Sequence, residues 1–185
     1  MASADVVRTI RAPGRIVVAP SDLAAVYPHG GTEVGLTRAC VLQPLGQSFA
    51  VAAEGLAGSP TDILEPPHEY VFSCFVRGWS DAAVSRFFRD RYAAGAVSGH
   101  ARYSAPSPPF GSSGLPYALT ILFVPDDPIH VPAIVIYRGL PDWSENSEIA
   151  FQRVDELGLP LAVDCLRSDA GKILEVGMLA DLSLT

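Results

Sequence analysis

Sixteen prolines and sixteen glycines cut this chain of 185 residues into short runs. Proline lacks a backbone donor and breaks helix interiors, and glycine weakens regular structure from within. Long helices are therefore excluded over most of the chain. The runs between the breaks are apolar, rich in β-branched residues and of strand length. They are Gly14–Ala19, Leu36–Leu42, Ser48–Ala53, Glu69–Arg77, Tyr117–Val124, Val131–Tyr137, Glu148–Val154, Leu159–Leu166 and Lys172–Leu179. This rhythm predicts a mainly β fold, a β-sandwich or barrel of about eight to ten strands.

Turn chemistry sets the expected connections. Ser21 and Asp22 cap a short helical turn that ends before Pro28, and Gly30-Gly31 makes a turn. Pro44–Gln47 is expected to join Leu36–Leu42 and Ser48–Ala53 in a hairpin. Gly55–Pro67 reads as a loop with a short strand near Asp62–Glu65. Pro125-Asp126-Asp127-Pro128 reads as a turn, and Leu140–Asn146 as a loop. Ser168–Gly171 is a tight turn after which Lys172–Leu179 closes a terminal hairpin. In Glu69–Arg77, Tyr70, Phe72, Cys74 and Val76 share one face while Val71 and Phe75 occupy the other. A strand apolar on both faces is covered on both sides, by its own chain or by a neighbouring subunit.

One flanking amphipathic helix is expected over Ser80–Ala94. Ser80 is a good N-cap, Asp81 complements the helix dipole, and Ala83, Val84, Phe87 and Phe88 fall on one stripe. Gly95–Pro116 is rich in Ser, Gly, Pro and Ala and reads as a long loop, with Phe110 as an apolar anchor. The length supports one domain, residues 1–185, with an N-terminal arm at residues 1–13 and the long loop at 95–116.

Charge and composition narrow the function. Apolar residues make up 49% of the chain and charged residues 18%, against about 25% charged in an average soluble domain. The shortfall points to surface covered by a partner chain or by copies of the same chain. The net charge is −7, Lys172 is the sole lysine and the arginines are scattered, so nucleic-acid binding by a basic face is not expected. No run reaches the roughly 20 apolar residues of a spanning helix, and residues 1–11 lack the apolar core of a secretory signal, so neither membrane nor secretion is expected. Cys40, Cys74 and Cys165 are odd in number, far apart and set in apolar runs; they read as buried core residues in a reducing cytoplasm.

Catalytic signatures are missing. His29, His68, His100 and His130 do not pair at metal-ligand spacing and sit in loop contexts, where exposure is expected. There is no GxSxG elbow, P-loop or dinucleotide fingerprint. Asp126-Asp127 reads as a solvated turn rather than a cation site, and Asp164 as an outward-facing strand residue rather than an acid or base. The expectation is a non-enzyme with no catalytic, cofactor-binding or metal residues and no cofactor.

Two segments carry a resemblance. Arg11–Gly35 (RAPGRIVVAPSDLAAVYPHGGTEVG) looks like the N-termini of some phage virion proteins, and Leu159–Leu179 (LPLAVDCLRSDAGKILEVGML) looks like a tube protein's last hairpin. With the order strands, helix, strands between them, the chain resembles the tail tube proteins of tailed bacteriophages. That resemblance implies six copies closing into a ring, rings stacking through loops and arms, and an acidic lumen through which genomic DNA passes without specific binding. It implies self-contacts, contacts with other tail or neck proteins, and a place in the virion tail after synthesis in the host cytoplasm. No functional residue carries over. A tail terminator, a neck adaptor and a capsid decoration protein share the profile. A different class, a small-ligand-binding β-barrel, would use Tyr70, Phe72, Phe123 and Tyr137 to line a cavity.

Overall fold

The structure is a computed structural model that describes residues 13–45, 49–51, 62–64, 69–78, 94–97, 100–103, 113–142 and 159–184. Its strands are β1 (Gly14–Val18), β2 (Thr32–Leu45), β3 (Phe49–Val51), β4 (Asp62–Leu64), β5 (Glu69–Arg77), β6 (Ala94–Val97), β7 (His100–Tyr103), β8 (Leu119–Pro125), β9 (Ala133–Asp142), β10 (Leu159–Leu166) and β11 (Leu174–Gly177). Six of them, in the order β10-β5-β2-β1-β8-β9, form an antiparallel barrel that β9 closes by pairing with β10. The ring consists of two three-stranded meanders, β1-β2-β5 and β8-β9-β10, joined edge to edge through β1–β8 and β5–β10.

Closure depends on β9. One edge of β9 pairs with β8, and the other is shared: Ala133–Ile136 takes β11 and Arg138–Asp142 takes β10. Gly139 stands where the shared edge changes partner. A Cβ there would lie 2.7 Å from both Ile121 Cδ1 and Val163 Cγ1, so only glycine lets three strands converge. Register shifts at Ile16/Val17, Thr37/Ala39 and Leu119/Ile121 add the local bending that a closed sheet needs.

Period-two alternation fills the inside. Ile16, Val18, Cys40, Phe72, Cys74, Val76, Ile121, Phe123, Ile134, Ile136, Leu161 and Val163 point inward into one cluster, with Phe72 and Phe123 6.2 Å apart at its centre. The other parity forms a smaller cluster outside, where Val17, Leu122, Val124 and Val135 are covered by Leu23 and Tyr27 of one loop and Leu179, Leu182 and Leu184 of the C-terminal tail. Thr37, one of two buried polar residues among those described, is fully used: its hydroxyl accepts from Gly14 N at 3.1 Å and donates to Gly14 O at 3.0 Å.

Several sequence expectations need correction. The fold is mainly β, as expected, and of the two expected forms the described residues make a closed barrel. The expected helix over Ser80–Ala94 lies almost wholly outside the described residues, and its last residue, Ala94, begins a strand. The expected loop at 95–116 contains the β6–β7 hairpin instead, because Gly95–Val97 and His100–Arg102 satisfy each other's backbone groups. Pro44 does not turn the chain; it is strand residue within β2, opposite Tyr70. Among the described residues the expected hairpin does not form: β2 pairs with β1 and β5 while β3 pairs with β4. Pro141 and Asp142 extend β9 where a loop was expected. The Ser168–Gly171 turn forms, with Gly171 N donating to Ser168 O at 2.9 Å, but β11 then joins β9 rather than β10. The expected strand at 148–154, the arm at residues 1–12 and Phe110 lie outside the described residues.

Candidate assembly surface

A closed barrel spends its backbone groups internally, so any association must use side chains or the few remaining edges. One outer face is already covered by the chain's own tail. The tail is fastened by a small polar network: Lys172 Nζ donates to Glu175 Oε1 at 3.0 Å and to Tyr137 Oη at 3.5 Å, and Tyr137 Oη donates to Ser183 O at 3.2 Å. The Lys172 ammonium also lies 5.2 Å from the Tyr137 ring centroid. Tyr137 and Lys172 hold the Glu175 carboxyl below the usual carboxylate range, and Glu175 raises the Lys172 ammonium in turn.

On the opposite outer face, β2-β5-β10, the exposed large apolar side chains stand on β2. Register places Leu36 beside Arg77, Ala39 beside Phe75, Val41 beside Ser73 and Gln43 beside Val71. Leu36 and Val41 are 45% and 50% exposed, next to half-buried Phe75 and Val71. Beyond Thr37, β2 has no partner on its β1 side among the described residues, and Val41 stands exposed in that half. This is the face that the two-sided apolar pattern of Glu69–Arg77 marks in the sequence. The exposure of β2 itself was not legible, because its outward residues are set by a register shift at Thr37/Ala39.

A third feature is a groove of about 640 Å³ between the loop after β1 and the C-terminal tail, lined by Leu23, Pro128, Leu179, Leu182 and Leu184 with Asp22 and Ser183 among them. Val26, two residues past the Ser21–Ala24 wall, is 90% exposed, and Ile129, next to Pro128, is 75% exposed.

The histidines divide. His130 is exposed and its Nδ1 lies 2.9 Å from Asp127 Oδ2, which holds the Asp127 carboxyl below its ordinary range. His29 departs from the exposure expected of it: it is 6% exposed. The loop folds back so that Ser21 N and Asp22 N both donate to His29 O, and the imidazole packs edge-on against Tyr27 at 5.9 Å. The Tyr27 ring also carries the Arg15 guanidinium at 5.3 Å, and Arg15 pairs with Glu33 at 3.3 Å. His68 lies outside the described residues, and of His100 only its place in β7 is described. Asp126 and Asp127 are both exposed in their turn. Asp164 is half-buried on the outer face, opposite Val71 and Leu140. The three cysteines are buried, as expected, and free. The aromatic set does not line one cavity: Phe72 and Phe123 fill the barrel, Tyr70 packs at its margin, and Tyr137 belongs to the outer cluster.

No protein-family model matches the chain, and no curated protein matches its sequence. The class that fold and surface define is a side-chain-filled, closed six-stranded antiparallel barrel with one outer face covered by its own tail.

Proposed function

We propose that this chain is a non-enzymatic structural subunit that works by assembling with copies of itself, and that the assembly is a phage tail-tube-type ring. The observation that carries self-association is the β2-β5 outer face, where Leu36 and Val41 stand exposed beside Phe75 and Val71. Burying such a patch is worth about 25 cal/mol per Å² of apolar area, and a closed barrel gives a rigid body on which the patch keeps its shape. The low charged fraction supports the same reading, and the net charge of −7 with a single lysine suits a wall past which DNA slides. The tube assignment itself rests on the resemblance of Arg11–Gly35 and Leu159–Leu179. A terminator, an adaptor or a decoration protein would use the same face.

The test is Val41→Glu. Because Val41 is half exposed, the change leaves the barrel folded, with a stability change within about 1 kcal/mol, yet places a charge at the centre of the patch. Light scattering after size exclusion is expected to show the wild-type chain as an oligomer and Val41→Glu as a monomer. An unchanged oligomer removes this face from the assembly.

The groove favours a second reading, capture of a small apolar ligand or an extended segment on the outside of the barrel. Its volume falls within the about 300–1,000 Å³ typical of ligand sites. A lumen site is disfavoured by size, since even an eight-stranded barrel is just wide enough for its own side chains. Saturable binding of an apolar dye by a monomer, lost in Leu182→Asp, would favour it.

A further inference from the structure

Cys40 on β2 and Cys74 on β5 stand directly opposite one another in the antiparallel ladder. Both point into the barrel and belong to the same core cluster, at 2% and 7% exposure. Residues opposite each other in such a ladder have Cα atoms about 4.5–5.5 Å apart, within the about 4.4–6.8 Å that a disulfide spans, and their Cβ atoms share a face. Two thiols so placed meet the strand spacing that a disulfide needs. The neighbouring Cys74 thiol favours the Cys40 thiolate, while burial pushes Cys74 well up. Cys165 is different. Its register partners are Tyr70 and Gly139, and burial pushes its thiol up to about 12.

We propose that Cys40 and Cys74 form a latent cross-strand disulfide site, free in a reducing compartment and closed by a small two-electron oxidant such as a peroxide. In the first step the Cys40 thiolate attacks one oxygen of hydrogen peroxide; the O–O bond breaks, hydroxide leaves and takes up a proton, and Cys40 becomes a sulfenic acid. In the second, the Cys74 sulfur attacks the Cys40 sulfur, the S–O bond breaks, and the Cys74 proton leaves with the hydroxyl as water. Two thiols and one peroxide give one disulfide and two waters. The bond would tie together the two strands that carry Leu36, Val41, Val71 and Phe75, and would do so whether or not that face mediates assembly.

The experiment uses the full chain, purified with reductant, desalted, treated with hydrogen peroxide under native conditions and then alkylated in denaturant. The expected result is a fall from three alkylated cysteines to one, loss of two hydrogens in intact mass, and a digest linking the Cys40 and Cys74 peptides. The melting midpoint should rise by about 5–10 °C and return on adding dithiothreitol. Cys165→Ala keeps the pair and should show the same linkage, with alkylation falling from two cysteines to none. Three alkylated cysteines after oxidation, a linkage through Cys165, or oxygen adducts without a linkage would each overturn the proposal.

Discussion

Two residues set limits on this fold out of proportion to their size. Thr37 supplies both hydrogen bonds to the Gly14 backbone where β1 begins. Thr37→Val keeps the shape but leaves a buried donor and acceptor without partners, at a cost of about 1–3 kcal/mol. Chemical denaturation should show this as a lower midpoint with an unchanged slope; equal midpoints would mean that water replaces the hydroxyl. Gly139→Val drives methyl groups into Ile121 and Val163 and should cost about 1–3 kcal/mol or more, measured in the same way. Neither role is readable from sequence. Thr37 looks like an ordinary strand residue and Gly139 like a strand weakener; their roles arise only once β1 lies against β2 and β8, β9 and β10 meet. The sequence did mark Cys40, Cys74 and Cys165 as core residues, because apolar neighbours at period two bury small side chains by default. His29 misled for the opposite reason: Gly30-Gly31 signals a turn, but nothing local signals that the turn folds over Tyr27.

At the scale of elements, strands with strong alternation were legible and their partners were not. β10 matches its expected bounds, Leu159–Leu166, and β5 matches Glu69–Arg77. Pairing differs where a local turn suggested a hairpin: β2 runs through Pro44, and β5 is the one partner of its far half among the described strands. The C-terminal tail offers a pH test. Glu175 is held below its ordinary value of 4.5, so the clasp contributes fully above that value and is lost as pH falls through the lowered one. Lys172 is held above its ordinary 10.5, so its part persists below that value and is lost as pH rises through the raised one. Methyl resonances of Leu182 and Leu184 should therefore hold constant across the neutral range and move at both extremes. A single transition near neutrality would contradict the clasp.

For the whole molecule, the composition and punctuation were enough for a β-rich fold, but not for its closure. Long apolar strands expose edges that invite uncontrolled pairing unless they are closed off. The barrel pairs both sides of its six strands over most of their length within one chain. Assembly is thus argued from exposed Leu36 and Val41 rather than from edge pairing in general. Negative-stain imaging of the purified protein across a concentration series is the most direct test of self-assembly. The account predicts closed rings, or tubes of stacked rings, at high concentration. A uniform field of single barrels at every concentration, matched by a monomer mass in solution, would contradict it.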